Sequence, residues 1–230
     1  MARKTYFVTG TDTGVGKTMV SAAILEAARS MGKRTLAMKP IASGCDNTPD
    51  GLRNEDALLL QGAMTEELAY DVVNPIALEP AIAPHVAAQQ AGKSITAGRL
   101  AGYCRGLQMR SSDLMLVEGA GGWRVPLNER ETYAALPREL EMPVILVVSL
   151  KLGCINHALL TAEAVRADGL RLAGWVANRP EKDTMSCEQE TFDYLLGHIG
   201  APCLGSLPWN PEADAVTLSA HLNISPLFEN

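Results

Sequence analysis

The sequence predicts an α/β fold, a mostly parallel β-sheet with helices on both faces. Two features lead there. The apolar runs "TYFVTG", "LMLVEG", "PVILVVS" and "LAGWVAN" are continuous rather than alternating, which marks strands buried on both faces of a sheet. They are separated by stretches of ten or more residues that read as helices covering the sheet. No Pro/Gly/Ser-rich linker and no internal repeat interrupts the 230 residues, so one domain spanning residues 1–230 is expected.

Each element has its own signal. "TYFVTG" is the first strand. Behind it Met19, Val20, Ala23, Ile24, Ala27, Ala28 and Met31 recur at helical spacing and end at Gly32, an amphipathic helix with a glycine C-terminal cap. "RTLAMKPIASG" reads as a second strand running into a loop. "NEDALLLQGAM" and "PAIAPHVAAQQAG" read as short helices, and "SITAGRLAGYCRGLQMRSS" as a longer one. "DLMLVEGAGG" and "MPVILVVSLKLG" are buried strands, the second leading into the helical "CINHALLTAEAVRADG". "LRLAGWVANRP" is a strand, "TFDYLLGHIG" a helix and "APCLGSLPW" a last short strand. "CDNTPDGLRNED" and "NRPEKDTMSCEQE" read as loops.

Composition narrows the function classes. With 47% apolar residues the chain can build a sizeable core. Its net charge of −6 lacks the basic surface that nucleic acid or an anionic membrane requires. No apolar run nears the roughly 20 residues of a bilayer span. Neither nucleic acid nor membrane is therefore expected as a partner. Five scattered cysteines, never in a Cys-x-x-Cys pair, predict reduced thiols rather than a metal or disulfide frame. The opening "MARKTYFVTG" passes straight into a strand-like run, too short for a signal peptide. A cytoplasmic protein is expected.

The first strand runs into "GTDTGVGKT". The usual phosphate loop has a glycine, four residues, then Gly-Lys-Ser/Thr. Here Thr11 occupies the place of that glycine and Gly10 lies one residue further out. A strand, a glycine-rich turn and a helix opening at Gly16-Lys17-Thr18 nonetheless supply what a polyphosphate needs: converging N–H groups, a helix N-terminus and a lysine charge. Thr18 is placed to offer its hydroxyl to Mg²⁺. Mg²⁺ also requires a carboxylate. Glu118, ending "DLMLVEG", is either that ligand or a rim glutamate capping a loop. Asp56 in "RNEDALLL" is equally a ligand or a first-turn aspartate favoured by the helix dipole. Lys39, leaving an apolar strand, either meets an anion or snorkels to solvent. "KLGCINHALL" is a second strand-to-helix junction, where N–H groups at Gly153, Cys154, Ile155 and Asn156 suit a carboxylate. No role is assigned to His85, His157, His198 or His221, and no nucleophilic triad follows from spacing.

In matching order over nearly the whole chain, "GTDTGVGKT", "KPIASG", "GLRNEDALLL", "VEGAGGWRVPL", "KLGCINHALLTAEAV", "LAGWVAN" and "LPW" resemble dethiobiotin synthetases. The resemblance implies a P-loop NTPase-like fold whose modified phosphate loop is one residue longer than the standard form, which accounts for Gly10. It implies a ligase of biotin biosynthesis that takes 7,8-diaminononanoate, CO₂ (or bicarbonate) and ATP with Mg²⁺. An amine captures CO₂ as a carbamate, ATP phosphorylates it, and the neighbouring amine closes a cyclic urea.

By the same resemblance Lys17, Lys39 and Thr13 are the catalytic residues and Ser43 contacts substrate. Thr18, Asp56 and Glu118 are the Mg²⁺ ligands. ATP is bound by Gly14, Val15, Gly16, Lys17, Thr18 and Met19, by Asp56, and by Glu118, Gly119, Ala120 and Gly121. Asn178 reads adenine beside Arg179, while Pro208, Trp209, Asn210 and Glu212 line base and ribose. Family members are homodimers with the substrate site at the subunit interface. The partner's helix start, here Gly153, Cys154, Ile155 and Asn156, holds the substrate carboxylate. Gly14 departs from the pattern, standing where the family often carries a side chain.

Two rivals share the loop. Amidating synthases of cobalamin assembly need a glutaminase domain for which 230 residues leave no space. Partitioning-type switch ATPases carry a lysine five residues before the loop lysine, where this chain has Asp12.

Overall fold

The computed structural model describes residues 3–183 and 185–229. In chain order, β1 (Lys4–Gly10) is followed by α1 (Lys17–Ser30), β2 (Thr35–Met38), β3 (Ile41–Ser43), β4 (Asp46–Thr48) and β5 (Gly51–Arg53). Next come α2 (Glu55–Ala63), α3 (Tyr70–Val73), β6 (Ile76–Leu78), α4 (Pro84–Gln90), α5 (Ala97–Gln108) and β7 (Leu114–Gly122). The rest comprises α6 (Ala135–Glu139), β8 (Val144–Ser149), α7 (Cys154–Ala167), β9 (Leu172–Asn178), α8 (Glu188–His198), β10 (Cys203–Leu207), α9 (Ala215–Ser219) and a short 3₁₀ helix (Ser225–Leu227).

Six strands form the main sheet in the order β10-β9-β8-β1-β7-β2, every pairing parallel. All residues of β8 and β9 are buried, so both faces of the sheet are covered, as their unalternating sequences require. All six C-terminal strand ends share one edge of the sheet, where ligands bind in parallel α/β folds.

α1 departs from the expected amphipathic helix, because ten of its fourteen residues are buried. It packs on β1, β2 and β7 while α2 and α9 cover its outer side. Ala22, Ala23, Ala27 and Ala28 are small enough to permit this close approach. Gly32, with φ 71°, ends it as predicted: its N–H donates to the Arg29 carbonyl and that of Lys33 to Ala28.

The other differences are local. The second predicted strand breaks at Pro40, which has no N–H to donate, and β3 leaves the main sheet to pair with β6. The predicted loop "CDNTPDGLRNED" contains the hairpin β4–β5, turned by Pro49-Asp50-Gly51 with the Thr48 hydroxyl on the Gly51 carbonyl. α8 starts at Glu188 rather than Thr191. Residue 184 of the predicted loop before it lies outside the described residues. Residues 123–143, between β7 and β8, contain the five-residue α6 and an isolated antiparallel bridge between Pro126 and Thr132. There Trp123 and Tyr133 cover Phe7 of β1, with ring centroids 6.0 and 5.6 Å away.

Candidate active site

The phosphate loop turns on two glycines. A Cβ at Gly10 would lie 2.5 Å from Val15 Cγ2 and 2.9 Å from the Asp12 carbonyl oxygen. The extra residue is thus accommodated by folding the loop directly onto Gly10. Gly16, with φ 83°, caps α1, and its absent Cβ makes way for Asn178, whose Nδ2 would otherwise lie 2.1 Å from it. Asn178 Nδ2 instead donates to the Val15 carbonyl at 2.8 Å. Gly14 (φ 74°) has open space where a side chain would project. Thr13 is exposed at the loop tip, and its N–H donates to Asp12 Oδ1 at 2.7 Å. Lys17 is buried and its Nζ reaches back to the Asp12 carbonyl at 3.3 Å. Burial lowers its pKa, with Lys39 adding to the effect and the nearby carboxylates opposing it. The loop therefore holds a cation that an incoming anion would stabilise.

Beside the loop lies a compact charged cluster. Glu118 sits inside β7, which continues to Gly122, and is fully buried; this excludes the reading of a rim glutamate. Its Oε1 accepts from Thr18 Oγ1 at 2.7 Å and from Lys39 Nζ at 2.7 Å, while Oε2 accepts from Ser21 Oγ at 2.9 Å. Lys39 follows β2 directly. Its backbone is pinned by its own N–H on the Val73 carbonyl (2.8 Å) and by Asn74 Nδ2 on its carbonyl (2.7 Å). Its Nζ also lies 3.0 Å from Asp56 Oδ2, so the snorkelling reading fails as well. Burial alone would lower the Lys39 pKa, but Glu118 and Asp56 outweigh burial and raise it.

Asp56 occupies the first turn of α2, whose N-cap Asn54 accepts from the Ala57 N–H. Burial pushes its carboxyl up, yet Lys39's charge and hydrogen bond prevail and hold it below the usual carboxylate range. Two carboxylates thus converge on the Lys39 ammonium, with the Thr18 hydroxyl on one of them, an all-oxygen donor set suited to Mg²⁺. Among the described residues no group of three or more His, Cys, Asp or Glu could hold a metal alone.

The remaining predicted residues follow the strand order. Gly119, Ala120 and Gly121 continue β7 past Glu118, and Gly121 lies close to Thr13: a Cβ there would be 3.2 Å from Thr13 Oγ1. Met19 is half-buried in the first turn of α1. On the other side of the loop, Asn178 ends β9 opposite Leu207, the last residue of β10; Arg179 follows, its N–H donating to the Leu207 carbonyl at 3.1 Å, and Pro208, Trp209, Asn210 and Glu212 come directly after β10. Arg179 pairs with Glu188, Trp209 is partly exposed, and Asn210 Oδ1 accepts from the Glu212 N–H. Ser43 ends β3, and its hydroxyl is buried with no partner among the described residues, a polar group left for something else to satisfy.

At the start of α7, Gly153 has φ 93° and Asn156 is exposed. Cys154 corrects the expectation of four free donors: it is buried and its N–H is taken by the Lys151 carbonyl at 2.9 Å. Ser21 and Lys151 were not expected here. The signal for Ser21 was a second hydroxyl three residues beyond Thr18, on the same helix face. Lys151 Nζ lies 3.8 Å from Asp12 Oδ2, and no sequence pattern points to that contact. A cavity of about 700 Å³ near Arg138, Asp168 and Arg171 opens at the opposite ends of the strands and takes no part in this site.

Comparison with known proteins agrees with this geometry. A family profile described as an AAA domain matches residues 4–217. Among solved structures, a ParA family ATPase from Chlorobium tepidum is 14% identical with a TM-score of 0.56, over 96% of this chain and 91% of that one. The MinC:MinD cell division protein complex of Aquifex aeolicus is 16% identical with a TM-score of 0.58, over 94% and 86%. Both likenesses concern the fold.

The sequence relatives are far nearer. An ATP-dependent dethiobiotin synthetase from Marinobacter nauticus is 71% identical over all of both chains. That of Cellvibrio japonicus is 54% identical, again over all of both, and that of Pseudomonas aeruginosa strain PAO1 is 53% identical over 96% and 97%. Such identity, sustained from end to end, makes the assignment: the chain belongs to the ATP-dependent dethiobiotin synthetase family.

Proposed function

We propose that this protein carboxylates 7,8-diaminononanoate with CO₂ and closes the cyclic urea of dethiobiotin at the expense of ATP. The observation that carries the reading is the 71% identity with a dethiobiotin synthetase along the whole chain. One substrate amine attacks CO₂ and loses a proton, giving a carbamate. A carbamate oxygen attacks the γ-phosphorus, ADP leaves, and a carbamic–phosphoric anhydride remains. The second amine attacks its carbonyl, phosphate leaves, and the ring closes.

Every nucleophile comes from substrate, so the chain's task is to position two anions and balance their charge. Lys17 and the N-terminus of α1 bind the phosphates. Lys39, whose raised pKa keeps it cationic at neutral pH, stabilises the carbamate and the transferring phosphoryl group. Thr13, exposed at the loop tip, contacts the same anions, and the unpartnered Ser43 hydroxyl binds the diamine end. Thr18, Asp56 and Glu118 would hold magnesium bound with the nucleotide, which would neutralise phosphate charge. Asn178, Pro208, Trp209, Asn210 and Glu212 receive the base and ribose.

The same reading makes the enzyme a homodimer. Leu152 is 90% exposed and Leu160 56%, flanking the start of α7 with apolar surface that a second copy would cover. The free N–H groups there would then hold the substrate carboxylate across the interface. The test is phosphate release from Mg-ATP and bicarbonate, with and without 7,8-diaminononanoate, alongside product mass. One phosphate per cyclic urea, and none above background without diamine, is expected. Diamine-independent release with no new product would reject the reading.

A further inference from the structure

We propose that Ser21 is a positioning residue for Glu118, fixing which carboxylate oxygen faces the Mg–nucleotide site. The proposal rests on the reading of Thr18, Asp56 and Glu118 as the magnesium-holding set. Ser21 lies in the interior of α1, completely buried beside Val20, Ala22, Ala23 and Ile24. A hydroxyl in such surroundings is costly unless bonded. A helix-interior serine can return its proton to the carbonyl four residues back; this one donates instead to Glu118 Oε2 at 2.9 Å, on a strand 97 residues away.

The two oxygens of Glu118 consequently have separate partners. Oε1 is shared by Thr18 and Lys39, both part of the site. Oε2 is given one donor among the described residues, Ser21. Thr18 and Ser21 are three residues apart on one helix face, so a single rigid element grips both oxygens. The terminal torsion of a glutamate is broad, and two hydrogen bonds from one helix remove that freedom. Without Ser21, Oε2 would be a buried oxygen lacking a donor. The carboxylate would regain rotation about Oε1, which Thr18 and Lys39 alone would still hold, and the plane it presents to the cleft would no longer be fixed.

The experiment compares Ser21→Ala, and Ser21→Thr as the variant retaining the hydroxyl, with the unaltered full chain. Calorimetric titration with ADP across a series of Mg²⁺ concentrations gives the metal requirement without turnover, and thermal unfolding is measured in parallel. Ser21→Ala is expected to raise the Mg²⁺ concentration for half-maximal enhancement of ADP binding about 10-fold, the usual cost of losing a group that orients a metal ligand. Its ADP affinity without Mg²⁺ and its KM for diamine should not change, and Ser21→Thr should restore the metal requirement. A lower melting temperature with an unchanged Mg²⁺ requirement would make Ser21 merely structural and overturn the proposal. Because no diamine enters the titration, a wrong substrate assignment would appear separately, as wild-type protein that binds Mg-ADP normally but forms no urea.

Discussion

Replacing Lys39 with methionine should cost stability as well as turnover, and the structure sets the scale. Lys39 Nζ contacts Glu118 Oε1 at 2.7 Å, and the two side chains are 6% and 0% exposed. Removing one partner of such a pair strands the other as a buried charge, at about 3–5 kcal/mol. Asp56 adds little, because its side chain is 48% exposed and solvent screens the pair. Thr18 and Ser21 keep their bonds to Glu118, which argues for the lower end, about 3 kcal/mol. At roughly 2–4 °C per kcal/mol for a chain of this length, the melting temperature should fall by about 6–12 °C.

The assay is thermal unfolding followed by fluorescence of the buried Trp123 and Trp175. The double variant Lys39→Met/Glu118→Gln should recover most of the loss, because no charge is then stranded. Mg²⁺ should raise the melting temperature of Lys39→Met more than that of the parent, since a divalent cation replaces the missing ammonium. A shift below about 1 °C in Lys39→Met would refute the reasoning that this pair is a stabilising buried contact.

Other perturbations test separate parts of the site. Gly10→Ala forces Val15 and the Asp12 carbonyl apart; at about 1–3 kcal/mol of overpacking, ADP binding by calorimetry should weaken about 10-fold. Asn178→Ala leaves the Val15 carbonyl without its donor. It should raise KM for ATP by about 10-fold, measured by phosphate release. Leu160→Glu should yield monomers on size-exclusion chromatography together with a higher KM for diamine. Asp56 titrates below its usual range in the folded protein. Its contribution is therefore complete above the unfolded carboxylate pKa and lost as pH falls through the lower folded value. Urea midpoints of the parent and Asp56→Asn should thus stay apart down to about pH 4 and draw together only as pH falls further, through the lower folded value.

The sequence carried the sheet because β8 and β9 are continuous apolar runs, and it carried the phosphate loop because Gly16-Lys17-Thr18 is a local pattern. Elements defined by distant partners were harder to see. β3 exists because β6 pairs with it, and α1 is buried nearly all round because α9, some 190 residues later, covers it. The charged cluster shows the same limit. Spacing left Glu118, Asp56 and Lys39 each with a bland alternative, and the resemblance to a family, not periodicity, joined them. Their convergence depends on β1, β2 and β7 lying side by side, which no local window of sequence contains. Ser21 and Lys151 escaped for the same reason, their partners being 97 and 139 positions away.

The central claim, a carbamate phosphorylated and then displaced by the neighbouring amine, is tested most directly with oxygen-labelled CO₂. The enzyme would be incubated with Mg-ATP, 7,8-diaminononanoate and C¹⁸O₂ under conditions of slow exchange with water, and both products weighed. The account predicts one labelled oxygen in the cyclic urea and one in the released phosphate, because the carbamate oxygen that attacks phosphorus departs with it. Unlabelled phosphate, or phosphate release with no cyclic urea, would contradict it.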